Sequence, residues 1–339
     1  MHKITSFVIA EATKVKRGKE APALPVVKSA PHYFEKSVPA QLVLGQEKKT
    51  IGDQAVELAV KTYHPDAIVV EGTLLVPDIF SNGILELKDK LLELCYEIAK
   101  KHGGKDEPSE EYTVYQLSDY KGDPGLFLEN HSSKIASLLK SEKLELDDKE
   151  VEHTLSYQLQ YAKDDLVIID WDGAFLFDPE GEFGETVELL ELANYQLLRY
   201  RILDKDLDER LIRAARLTHT EGRGWFFRTK EVAQAFREVI KIRSQSISQF
   251  ESLDRDIKLI GDWYSARLYD LLSKKFRLEE WRQTIREKLE SLEDVYTIVS
   301  ENLGLSRMQV LEFIQIGAFF VLQIGWFILI ILEFFYFTR

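Results

Sequence analysis

The sequence predicts an α+β protein built from a mixed N-terminal domain, a long antiparallel helical hairpin forming a coiled-coil-like stalk, and one C-terminal transmembrane helix. Three observations predict it. All nine prolines lie at or before Pro179, so the later chain lacks the residue that breaks helix interiors. Near the same point the apolar pattern changes from strand-like alternation to steps of four and three. The stretch 313–332 carries no formal charge and, at ~1.5 Å rise per residue, spans ~30 Å, the thickness of bilayer hydrocarbon. The expected organisation is a flexible arm with a basic cluster (1–31), an α+β domain (32–180), the stalk (181–305) and the membrane anchor (306–339).

With 339 residues, 45% hydrophobic and 30% charged, the composition is that of a folded chain with one large domain or two. The net charge of −13 leaves no broad basic surface for nucleic acid, and no direct sequence-specific nucleic-acid binding is expected. The single cysteine, Cys95, excludes an intrachain disulfide and fits a reducing compartment. The N-terminal apolar run Phe7–Ala10 is too short, and too early relative to the charges, for a secretory signal.

Taken in order, residues 11–31 combine Lys14, Lys16, Arg17 and Lys19 with Pro22, Pro25 and Pro31, as an extended arm does. Val56, Leu58, Val60 and Thr62 alternate with polar or small residues as in a half-buried strand, and Ala67–Val70 forms the next. Ile84, Leu87, Leu91, Cys95 and Ile98 make one helical stripe ending at Gly103 and Gly104. A strand at Tyr112–Leu117 and a helix around Ile135–Leu139 follow, then a strand alternating through Leu155, Tyr157, Leu159 and Tyr161. Leu166–Asp170 and Phe175–Phe177 flank Asp172-Gly173, a hairpin signal because both residues tolerate positive φ. One helix is expected from about 185 to 216 and a loop at 219–227. A second helix spans about 229–273, with a seam running from Val232 to Leu271. A third carries Leu278, Trp281, Ile285, Leu289, Leu292, Tyr296, Val299 and Leu303. Gly304 and Ser306 mark a kink or cap before the membrane segment. Only six residues follow Glu333, so the polar bulk is expected on the N-terminal side of the span, as a single-pass, tail-anchored protein with its bulk in the cytoplasm.

The sharpest catalytic suggestion is the string VIIDWDGAFLF, 167–177, which resembles the first motif of haloacid-dehalogenase-type phosphohydrolases. The resemblance implies Asp170 as nucleophile, Asp172 as general acid and a Mg²⁺ ion, although Ala174 stands where that family has threonine. The competing expectation, a plain hairpin without catalytic residues, is the favoured one. The seven histidines share no metal-ligand spacing, and neither a Walker A loop nor a GxGxxG turn occurs, so no cofactor or metal is expected. Arg223, Trp225, Phe226 and Phe227 could meet a protein or ribonucleoprotein partner from the inter-helix loop. Arg267 falls on the heptad seam with Asp262 nearby, where a polar pair fixes register. Gln315, Gly317, Gln323 and Gly325 permit helix packing in the membrane, hence a homo-oligomer. A magnesium-transporter-like channel shares the plan of head, helices and membrane region, but carries two spans and a Gly-Met-Asn signature absent here.

From Ile257 to Phe313 the chain resembles bacterial membrane proteins of unknown function, distantly related to the sporulation and "required for meiotic nuclear division" family. Gly261, Asp262, Tyr264, Ala266, Arg267, Tyr269, Phe276, Trp281, Lys288, Leu289, Tyr296, Arg307, Met308 and Glu312 carry the resemblance. Residues 189–208, LLELANYQLLRYRILDKDLD, resemble an upstream segment of the same proteins. The resemblance implies an α+β domain, long helices and a terminal membrane segment. Through mitochondrial relatives it implies a role in organelle translation, tethering ribosomes at the inner membrane. The function expected is therefore a non-enzymatic, membrane-anchored scaffold or tether.

Overall fold

The computed structural model describes residues 2–12, 19–20, 41–63, 67–118, 120, 122–218 and 263–337, with scattered helical positions between 237 and 251. Two compact units result, Met1–Asp204 with Phe250–Ile285, and Lys205–Gln249 with Arg286–Arg339.

The first unit is organised by β1 (His2–Ala12), an N-terminal strand absent from the sequence expectation. It lies in the middle of a nine-stranded sheet with β2 (Lys19–Glu20), β3 (Gln41–Ile51), β4 (Gln54–Tyr63), β5 (Ala67–Val76), β6 (Gly104–Leu117), β7 (Gln158–Leu159), β8 (Leu166–Ile169) and β9 (Gly173–Phe177). The order is β2-β3-β4-β5-β1-β6-β9-β8-β7. Neighbours are antiparallel except β6 and β9, which run parallel. A central strand is covered on both faces, so its side chains lose the alternation that marks a half-exposed strand. Its polar residues are paired instead, Thr5 with Thr73 at 3.0 Å and Ser6 with Thr113 at 2.9 Å.

One face of the sheet carries Ile4, Val8, Leu58, Val60, Val70, Leu74, Tyr115, Ile168 and Phe175, which share one core cluster with residues of three helices. These are α1 (Ile84–Lys101), α2 (Pro124–Leu139) and α3 (Asp148–Leu155). The α1 stripe is the expected one, and Ile84, Leu91, Cys95 and Ile98 are buried. α1 lies so close to β5 that a Cβ on Gly72 would come within 2.9 Å of Leu91 Cδ1 and 3.0 Å of Cys95 Sγ. The strand expected at 155–161 is mostly otherwise. Leu155 closes α3 and only Gln158–Leu159 pairs, because Asp147 caps the preceding segment as a helix by accepting from the Lys149 N–H at 3.1 Å.

The opposite face receives α4 (Gly184–Thr218) and α5 (Trp263–Lys275). Tyr195 of α4 stacks on Tyr63 of β4 with ring centroids 4.7 Å apart. Tyr269 of α5 donates a hydrogen bond to the Gln196 side chain of α4. The unit therefore includes α5 and the first turns of α4, which the sequence reading assigned to the stalk from 181 onward. After α5, Phe276 and Arg277 turn the corner, with Arg277 at φ 52°, into α6 (Leu278–Phe337), a continuous helix of 60 residues. The helix runs through Gly304 and Ser306 without a terminating cap, and one glycine in a long helix is tolerated at a cost of ~1 kcal/mol. In the second unit, Lys288 of α6 and Asp208 of α4 form an ion pair at 2.6 Å. Leu207 and Leu292 are buried there. Most of the heptad positions between 232 and 260 lie outside the described residues.

The β8–β9 hairpin is present as expected, with Ile169 opposite Ala174, but positive φ is not the reason for its glycine. Gly173 has an ordinary φ, and a Cβ there would stand 2.7 Å from the Thr113 carbonyl oxygen of β6. Parallel pairing of β6 and β9 brings that backbone close. Gly173→Ala is accordingly expected to destabilise the full chain by ~1–3 kcal/mol, the range for overpacking. Thermal melts in detergent check this, and an unchanged midpoint would contradict the close-approach account.

Candidate functional site

The first charge centre is built where β8 ends. The Asp170 N–H donates to the Gly173 carbonyl at 2.8 Å, closing the hairpin, and leaves the carboxylate only 1% exposed. An ammonium comes to it from each helical layer. Lys275, the last residue of α5, forms an ion pair with it. Lys140, just after α2, lies 3.4 Å away and also pairs with Glu150 at 3.0 Å. Those contacts with Glu150 and Asp170 hold the Lys140 ammonium above its ordinary pKa although burial opposes it. The Tyr112 hydroxyl donates to the Asp170 carbonyl oxygen at 3.0 Å. Lys275 Nζ also lies 4.6 Å from the Tyr157 ring. Phe276, fully buried, meets Tyr112 and Trp171 edge-on, each at 5.8 Å. The centre thus fixes the α5–α6 corner onto the sheet.

Asp172, two residues on, is exposed. Desolvation by the surrounding chain and, after it, the neighbouring Asp170 charge raise its carboxyl above the usual range. β8 is antiparallel to both β7 and β9, whereas the phosphohydrolase motif belongs at the end of a strand in a parallel sheet. Asp170 is closed in by two lysines, and Asp172 stands in the turn between β8 and β9.

The second charge centre lies between β4, β5 and α4. Lys61 Nζ is 2.6 Å from Glu71 and 3.1 and 3.2 Å from the two Glu191 oxygens. The side chains are 12%, 22% and 0% exposed, respectively. Burial pushes the Glu191 carboxyl up to about 8, opposed by the Lys61 charge and reinforced by Glu71 and Glu188. Lys61 stays charged because, although burial opposes the charge, the carboxylates of Glu191 and Glu71 outweigh that cost and raise its pKa. Close by, Gln116 donates to Thr5 Oγ1 at 2.8 Å, continuing the polar row on this face. Each centre has a buried carboxylate at its heart, Asp170 in the first and Glu191 in the second. Glu182, Glu185, Thr186, Leu189, Tyr264, Ser265 and Leu268 line a recess of ≈10 Å³, room for about one water. Among the described residues, no three histidine, cysteine or acidic side chains gather to hold a metal.

Sequence reasoning singled out Asp170 but missed Lys61, Glu71, Glu191, Lys140 and Lys275. The available signal was a lone charge inside an apolar run. Glu71 interrupts AIVVEGTLLV and Glu191 interrupts LLELA, positions where an ionisable group needs a partner.

The other expected residues are dispersed. Tyr264 is buried and packs edge-on to Tyr161, ring centroids 5.3 Å apart. Arg267 is exposed, its guanidinium 4.7 Å over the Trp263 ring, because α5 buries Tyr264, Leu268, Tyr269 and Leu272. The seam predicted through Arg267 and Leu271 is rotated away from that buried stripe. Trp281 is half-buried, and Tyr296 lies in α6. Gly261, Asp262, Arg223, Trp225, Phe226 and Phe227 lie outside the described residues.

Gln315, Gly317, Gln323 and Gly325 all fall within Leu311–Phe334 of α6, a 24-residue stretch of mean hydropathy 2.2 with none of its most apolar window buried. It is long and apolar enough to cross a membrane. At about 100° per residue, however, the glutamines and the glycines point to roughly opposite sides of the helix.

Residues 6–183 match a family described as "Uncharacterized protein MJ0711, N-terminal domain". The chain is also 31% identical over 256 residues to the uncharacterised protein MJ0711 of Methanocaldococcus jannaschii, an alignment covering 75% of this chain and 76% of that one. No solved structure matches it. The domain match takes in the whole sheet from β1 to β9 apart from the first residues of β1. At 256 residues, the alignment with that relative is longer than the domain match. The chain therefore belongs to the MJ0711 family.

Proposed function

We propose that the protein is a membrane-anchored, non-enzymatic scaffold or tether, single-pass, self-associating, with its N-terminal bulk in the cytoplasm. The observation that carries this reading is α6, which starts at the sheet-bound corner and ends in the exposed apolar stretch Leu311–Phe334. An exposed apolar helix of this length is costly in water and stable in hydrocarbon. The charge centres support a structural role, since their carboxylates face lysines of the same chain. The resemblance of residues 257–313 to bacterial membrane proteins supports the anchored architecture more than the tether, whose cargo is a protein or ribonucleoprotein.

The test is fractionation followed by identification of what comes with the protein. The full chain should remain in the membrane pellet through alkaline carbonate washing, and a chain truncated before Leu311 should be released. Crosslinking, size separation and mass spectrometry of the detergent extract should then show a defined partner. A full chain released by carbonate overturns the anchor, and an extract holding no other component overturns the tether.

A further inference from the structure

The membrane reading, on which this inference rests, places one polar side chain at the greatest depth. Gln323 lies at the centre of Leu311–Phe334, ~18 Å from either end at ~1.5 Å per residue. Its side chain is exposed, and among the described residues nothing in the chain bonds to it. An amide in hydrocarbon without a partner is unfavourable, so one must come from another helix. Gln315 is in a different position, ~6 Å from the start of the stretch, where its amide reaches water or headgroups.

We propose that the span pairs with a second copy of itself, Gln323 against Gln323. An amide both donates and accepts, so it is complementary to its own copy. Copies of one chain insert in the same direction, which puts identical residues at the same depth. The uncharged run calls for no oppositely charged partner. Phe319, Trp326 and Ile330 share the face of Gln323 at steps of four, three and four and pack beside it as the seam of a parallel pair. Gly317 and Gly325 lie about 120° and 200° around the helix from Gln323, so close glycine packing belongs to another face and is not needed for this pair.

The test uses the purified full chain in phosphatidylcholine vesicles, with donor- and acceptor-labelled copies mixed and energy transfer followed as lipid dilutes the protein. Gln323→Leu is expected to weaken association about three- to thirtyfold, the span of measured effects for such hydrogen bonds. Gln323→Asn should retain most of it, and Gln315→Leu should change it less than twofold. Association of Gln323→Leu equal to wild type overturns the pair, as does a wild-type chain that stays monomeric in the vesicles. A monomeric chain that still resists carbonate leaves the anchor intact, so the two readings fail separately.

Discussion

Asp170→Ala is expected to destabilise the protein by ~3–5 kcal/mol, because it leaves Lys275 buried without its counter-charge and removes one of the two carboxylates that hold Lys140. At ~2–4 °C per kcal/mol for a unit of this size, the melting midpoint should fall by roughly 6–20 °C. Removing one partner of a buried pair costs far more than the pair itself contributes. Asp170→Leu combined with Lys275→Met should therefore recover much of the loss, since the buried charge is removed along with its partner. The double variant also keeps Phe276 between Tyr112 and Trp171. If Asp170→Ala melted within 2 °C of the parent, the carboxylate would not be the fixing point of the α5–α6 corner. If the double variant were as unstable as the single, the loss would lie in the hairpin rather than in the charges.

The elements that the sequence revealed are those whose burial is one-sided. Over its first half β4 alternates because Val56 and Leu58 join the core cluster while Ala55 and Glu57 on its other face are exposed, and α1 shows a stripe because its other side meets water. β1 was hidden for the opposite reason. It is buried on both faces, and its polar Thr5 and Ser6, satisfied by Thr73 and Thr113 across the sheet, look from the sequence like breaks in an apolar run. Similarly, the 4-and-3 spacing through Tyr264, Arg267 and Leu271 is compatible with more than one helix face. Only docking against the sheet decides that Tyr264, Leu268 and Leu272 are the buried ones. Charge pairing is harder still to read, because its partners are distant in sequence. Asp170 stood out from the DxDG pattern, while Lys275 and Lys140 belong to other layers and carry no local mark. The apolar stretch Leu311–Phe334 was legible, since hydropathy summed over consecutive residues needs no tertiary information.

Stability should fall as the pH rises from about 5 to 8, through Glu191. In the unfolded chain this carboxyl loses its proton near its ordinary 4.5, whereas in the fold burial keeps the proton on until about 8. Between those values the folded state binds more protons than the unfolded one, and the free energy of unfolding declines with pH. The contribution is complete below the unfolded pKa and gone above the folded one, on the order of 3 to 5 kcal/mol across the window. Glu191→Gln keeps the size and the polar contact with Lys61 while removing the titration. It should flatten the profile and be more stable than the parent at pH 8 to 9, with the advantage vanishing near pH 5. Lys61→Met should act in the opposite sense at high pH, because Glu71 and Glu191 would then face each other without the ammonium that lies between them at 2.6 and 3.1 Å. Melting midpoints at pH 5, 7 and 9 for the three proteins decide the matter. Parallel profiles for the parent and Glu191→Gln would mean that Glu191 is ionised throughout and that the triad holds two full negative charges around one lysine.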